Sequence, residues 1–200
     1  SKTYDGTPLT KPDVTIGGDG FVEGEVSKIK ATGSVTNVSE GEVTNTITYT
    51  EGTNFKESNY NITKTEGKLS ITAITDEVLV EIKGNTDSVT YNGKEHNVEG
   101  YTVTSISNTL YKQSDIKFNG TAKAEGTDAN TYKMGLTAKD FENTSKNFST
   151  VTFKVTDGSL TIRKRSVVLT SETASKEYDG TALEKPVVAV TGDGFVAGEV

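Results

Sequence analysis

The chain begins and ends on nearly the same 26 residues. Residues 1–26 and 175–200 agree at 18 of 26 positions, among them Tyr4/Tyr178, Asp5/Asp179, Gly6/Gly180, Phe21/Phe195 and Glu25/Glu199. A weaker third copy lies between them, where Ser88-Val89-Thr90-Tyr91-Asn92-Gly93 parallels Ser1 to Gly6. The steps are equal, 91 − 4 = 87 and 178 − 91 = 87. Self-similarity at a fixed period marks a tandem array, and a unit of this length is a small domain rather than a solenoid repeat. A domain of that size can bury enough apolar surface to fold alone, with little margin. The expected organisation is a first module over 1–74, a second and divergent module over 75–163, and the start of a third over 164–200. The chain reads as a slice of a longer array.

Within a module, apolar residues alternate. Val78, Val80 and Ile82 form one series, Val151, Phe153 and Val155 another, and Ile47 with Tyr49 a third. A period of two places successive side chains on opposite faces of a sheet. The intervening Thr residues suit a pleated, half-buried surface. The expected fold class is all-β: small Ig-like β-sandwich modules arranged end to end, with β-grasp-like modules as the alternative. A β-grasp needs a covering helix, and the one helical turn the sequence suggests runs from Thr137 to Phe141, with Thr137 as cap and Asp140 three residues on. Asp-Gly at 5–6 and 179–180 and Asn-Gly at 92–93 are the dipeptides that best tolerate a positive φ in a tight reversal. Gly18-Asp19-Gly20 and Gly192-Asp193-Gly194 read as turns on the same grounds.

Modules also end alike. Residues 67–71 and 158–162 share Gly-x-Leu-x-Ile, and the next strand follows almost at once, at 78–82 and 167–169. By this phasing the first module lacks an opening strand, whose counterparts are residues 78–86 and 166–174. Unpaired strand edges invite added strands, so residues 166–200 are expected to be able to pair with the first module of another copy.

These residues resemble a known family. "ASKEYDGTALEKP", "GDGFVAGE", "YNGKEHNVEGY" and "ANTYKMGLTAKDFENTSKNFSTVTFKVTDGSLTI" are similar to the YDG-type and MBG-type repeat modules of large bacterial cell-surface proteins, chiefly of Gram-positive anaerobes. The resemblance covers nearly the whole chain. It implies multi-module stalks of secreted or wall-associated, adhesin-like proteins, located outside the cell, and it carries no catalytic residues. Neighbouring repeat modules are the partners it implies, with a host protein or glycan engaged through other regions.

Composition restricts the remaining chemistry. The net charge of −7 disfavours nucleic acid and anionic lipid, both of which call for clustered Lys and Arg. The one basic run, Arg163-Lys164-Arg165, sits at a module junction and reads as a solvated linker. There is no Cys, hence no disulfide or thiolate site. No apolar run is long enough to span a bilayer as a helix. His96 is the sole histidine and reads as a strand-end residue, so no enzyme and no cofactor are expected. Asp19, Glu23 and Glu25 are the candidate calcium ligands, because a Gly-rich acidic loop supplies oxygen donors. Their spacing is not that of an EF-hand, and turn residues with solvated charge account for them as well. An intramolecular Lys–Asn or Lys–Asp isopeptide bond needs a buried Lys beside its partner, which linear spacing does not reveal. Tyr101, Tyr111 and Tyr132, with Phe118, are the candidate ligand-binding aromatics, against the competing reading that they fill two small cores. The expected function is a structural spacer presenting a distal binding region; the alternative is a carbohydrate- or protein-binding surface module.

Overall fold

A computed structural model describes residues 1–200. The protein is all-β: its twenty short strands are joined by turns and four single-turn 3-10 segments, and no α-helix is present to cover a sheet. The helical turn expected after Thr137 forms over Ala138–Asp140. There the Asp140 carboxylate accepts hydrogen bonds from the Thr137 N–H at 2.7 Å and hydroxyl at 3.0 Å. Alternation is equally well kept. In Val78–Gly84, Val78, Val80 and Ile82 are fully buried while Leu79 and Lys83 are exposed.

The chain forms two compact units, each assembled from three segments. The first comprises Ser1–Val80, Ser105–Lys117 and Glu142–Phe153; the second comprises Glu81–Thr104, Phe118–Phe141 and Lys154–Val200. Each contains the same arrangement of strands. In the first, Lys2–Thr3 runs parallel to Ile71–Thr72, Leu9–Thr10 pairs antiparallel with Ser34–Val35, and Val43–Thr44 pairs antiparallel with Lys68–Leu69. In the second, Thr86–Thr90 runs parallel to Ser159–Arg163, His96–Glu99 pairs with Lys123–Gly126, and Thr131–Lys133 pairs with the other edge of Ser159–Arg163.

The cores correspond in the same way. Val35, Leu69 and Ile71 are packed by Tyr4, Leu9 and Val43; Ala124, Leu160 and Ile162 are packed by Tyr91, Val98 and Tyr132. The Leu and Ile of Gly-x-Leu-x-Ile therefore point into both cores. Even single hydrogen bonds recur: Tyr4 N–H donates to Thr72 O and Tyr91 N–H to Arg163 O, both at 2.9 Å. The repeat is thus a physical unit, reused with its packing intact.

Val78–Gly84 is the strand on which the second repeat is built. It is the middle strand of a three-stranded sheet between Tyr101–Ile106 and Val151–Thr156. Within the first unit, Val78 N–H donates to Thr150 O at 3.0 Å, and Leu79 exchanges bonds with Ser107. Within the second, Glu81 O accepts from the Thr104 hydroxyl while its carboxylate pairs with Lys154 at 2.8 Å.

At Asn85 the chain then leaves that sheet and continues as Thr86–Thr90, parallel to Ser159–Arg163. The crossing is tight: a Cβ on Gly84 would collide with Gly158 N and stand 2.7 Å from Gly158 Cα, and one on Gly158 would stand 2.5 Å from both Asn85 O and Met134 Sδ. Both positions need glycine for space, not for backbone angle. Gly67, the first-repeat counterpart of Gly158, has nothing within 4 Å of the place a Cβ would occupy.

That contrast is testable. Gly158→Ala is expected to destabilise the protein by about 1–3 kcal/mol through overpacking against backbone, and Gly67→Ala to change stability by no more than about 0.5 kcal/mol. Urea midpoints measured on the two variants check this, and equal midpoints would show that the crossing accommodates a methyl group.

Candidate functional site

The three Tyr-Asp/Asn-Gly copies fold into one turn. Asp5 Oδ1 accepts from Thr7 N–H at 2.9 Å, Asn92 Oδ1 from Lys94 N–H at 3.0 Å, and Asp179 Oδ1 from Thr181 N–H at 2.9 Å. Gly6, Gly93 and Gly180 follow with φ of 79°, 73° and 75°. A side chain bonding the backbone two residues on, followed by a left-handed glycine, makes a self-contained reversal. In the outer copies a lysine completes it: Lys2 lies 2.7 Å from Asp5 and Lys176 lies 2.9 Å from Asp179. Lys2, helped by the Thr7 hydroxyl and N–H, holds the Asp5 carboxyl down at about 2. Lys176 lowers Asp179 in the same way. In the middle copy His96 takes over, with Nε2 at 2.9 Å from Asn92 Oδ1.

The acidic loop residues do not gather. Glu25 accepts a hydrogen bond from the Tyr60 hydroxyl, which raises the phenol's pKa, while Asp19 and Glu23 lie exposed on their turns. Nowhere do three carboxylate or imidazole groups converge as a cation cage would require. No charged side chain is buried, so no Lys stands in a core beside an amide or acid.

Arg165 departs from the solvated-linker reading. Its guanidinium donates to Gly194 O at 2.8 Å, to Tyr91 O at 3.1 Å and to Asp193 O. Asp193 in turn accepts from Ser166 N–H at 2.9 Å. The five-donor fork gathers carbonyls that a tight turn leaves without backbone partners. Arg163 and Lys164 are exposed, as expected.

The candidate aromatics fall into separate groupings. Tyr101 packs against Phe118 at 4.9 Å and Phe141 at 5.0 Å. Tyr132 is half-buried opposite Leu160, with its ring filling the space beside Gly126. Tyr111 is 2% exposed and edge-on to Phe148, and its hydroxyl lies 3.2 Å from both Asp115 O and Asn143 Oδ1. Burial pushes this phenol up to about 12.

The largest concavity lies in the first unit, a groove of about 770 Å³. Its walls are residues 14–22 and 59–65, and Ile29, Ile47 and Tyr49 form its floor. Phe21, Tyr49, Phe55 and Tyr60 cluster there with ring centroids 5.2–6.3 Å apart, and Lys64 Nζ sits 4.8 Å over the Tyr49 ring. Residues 14–18 and 61–65 make no backbone–backbone hydrogen bond. Sequence reasoning missed this cluster because its rings are scattered from position 21 to position 60 without a local pattern. The signal that could have found it was the repeat phase, which aligns 14–18 with Tyr101–Ile106 and 60–65 with Val151–Thr156.

No protein-family model, curated protein or solved structure matches the chain. No helix is long and apolar enough to cross a membrane.

Tyr111 yields a pH prediction. A phenol near 10 in the unfolded chain and about 12 in the folded one gives stability that is whole below pH 10. That stability is lost as pH rises through about 12. Tyrosinate absorbance is expected to show a late-titrating phenol that disappears in Tyr111→Phe, together with a shallower loss of stability for that variant in the same window. A variant titration overlaying the parent's would remove the assignment.

Proposed function

We propose that the chain is a run of structural spacer modules from a bacterial cell-surface or secreted adhesin-like protein, holding a distal binding region away from its anchor. The modules are small two-sheet sandwiches of Ig-like character over 1–74, 75–163 and 164 onward, set end to end. The resemblance to YDG-type and MBG-type repeats supports this reading, as does the absence of an α-helix that a β-grasp would need.

The observation that carries it is that the seam between repeats is itself repeated. A Cβ on Gly6 would stand 3.2 Å from Leu110 Cδ2, and one on Gly93 would stand 3.1 Å from Val196 Cγ1, one repeat later. The first seam is tied by Asn147, which accepts from Val38 N–H at 2.9 Å and donates to Asn37 Oδ1 at 3.0 Å; the second is tied by Arg165. A seam built from a rigid turn and side-chain hydrogen bonds limits swing between neighbours, which a spacer needs and a flexible linker lacks.

Nitroxide labels test the proposal, since the chain has no native Cys to compete. With Thr50→Cys and Thr102→Cys labelled, pulsed dipolar spectroscopy is expected to give one narrow distance distribution, broadened in an Asn147→Ala background. A broad distribution in the parent protein would overturn the spacer reading.

A second reading, a carbohydrate- or protein-binding module, is favoured by the aromatic groove of the first unit, because sugar rings stack on Tyr and Phe faces. Saturable glycan-array binding that is lost in Tyr49→Ala would promote it over the first.

A further inference from the structure

We infer that the groove of the first unit is a strand-acceptor site whose occupant is the segment Val167–Ser171 of a second copy of this chain. In the second repeat, Val78–Gly84 lies between Tyr101–Ile106 and Val151–Thr156. Stepping the first neighbour back by 87 gives residues 14–19, and stepping the second back by 91, the interval from Gly67 to Gly158, gives 60–65. Those are the two walls of the groove. They lie half-extended with free backbone groups, and the alternating Val14 and Ile16 on one side and Tyr60 and Ile62 on the other line the space between. The space around Gly67 is open where its counterpart Gly158 is crowded by Gly84 and Asn85. The groove is therefore shaped as the bed of a middle strand.

The occupant follows from pairing that the protein already makes. Val167–Ser171 is the third-repeat counterpart of Val78–Gly84, and it pairs antiparallel with Val188–Gly192, with Leu169 opposite Val190. Moved back by 174, Val188–Gly192 becomes residues 14–18, and Val190 becomes Ile16. The strand thus already recognises a near-copy of one groove wall. Its other edge is unpaired in the chain. Leu169, at the place of the fully buried Val80, is 58% exposed. Exchanging Val188–Gly192 for 14–18 is close to even, because 18 of the 26 surrounding residues are shared. The second edge, against 60–65, and the burial of Leu169 are net gains. Donor and acceptor are different surfaces, so the contact is head-to-tail and extends beyond a dimer unless it closes into a ring.

The test uses the full chain. Analytical ultracentrifugation is expected to show a weight-average mass that rises with concentration from 21.3 kDa to more than twofold. Leu169→Lys is expected to stay at the single-chain mass with an unchanged thermal midpoint, since the side chain is exposed in the lone chain. An equimolar mixture of Ile16→Cys and Leu169→Cys chains is expected to oxidise mainly to the mixed disulfide dimer, and a mixture of Thr15→Cys and Leu169→Cys, whose side chains alternate to opposite faces, is not. A strictly monomeric parent, assembly undiminished in Leu169→Lys, or a 16–169 cross-link that forms only within a single doubly substituted chain would each overturn the proposal. Loss of glycan binding or a broad inter-label distance leaves these readouts unaffected, so this inference and the spacer reading fail separately.

Discussion

The parallel pairing between the start of a repeat and its Gly-x-Leu-x-Ile end is the constraint on which the rest of the protein depends. It brings together residues about seventy positions apart, Lys2 with Ile71 and Val89 with Ile162. In doing so it places one Leu, one Ile and one Tyr in each core. A cluster of three fully buried residues is small, and the flanking strands are often only two residues long. Backbone pairing of that length does not sustain itself; it holds because the same residues are simultaneously strand, core wall and anchor for the next turn. Such non-local closure is also slow to form, since the loop entropy is lost before the contacts are gained.

Around this closure the chain relies on devices that need no partner from afar. The Asx turns satisfy their own backbone, the four 3-10 segments are single turns, and surface ion pairs such as Lys117–Glu142 are exposed and correspondingly weak. Cysteine-free stability in this protein therefore comes from packing and turn chemistry, with glycine used where two backbones meet. Gly84 and Gly158 show the cost of that economy, because neither can carry a methyl group without moving the main chain of the other.

Much of this was legible in the sequence. The alternation of Val78, Val80 and Ile82, the cap at Thr137, the positive φ at Gly6, Gly93 and Gly180, and the all-β class all follow from local patterns, and local physics produced them. What depends on distant neighbours did not show. Arg165 reads as one of three surface charges until the turn at Asp193 folds against it. The ring cluster of Phe21, Tyr49, Phe55 and Tyr60 has no spacing of its own. Tyr101, Tyr111 and Tyr132 have similar sequence settings, yet only Tyr111 is buried beyond reach of solvent.

The three turns separate the two kinds of information within one molecule. Their hydrogen bonds agree to 0.1 Å and their glycine angles to a few degrees, so the tetrapeptide alone dictates the reversal. The tyrosine leading into each turn behaves otherwise. Tyr4 packs edge-on against Phe148 and Tyr91 hydrogen-bonds Glu199, whereas Tyr178 is 98% exposed. An identical local sequence therefore yields an identical bend and a different environment, and the environment is supplied by whichever repeat lies against it. Leu169 and Val80 make the same point for strands: equivalent in phase, one lies bare and the other lies in the core because only one has a neighbour on both edges. Burial in an array of this kind is a property of the seam, and a surface that looks apolar in one repeat is the interior of the next.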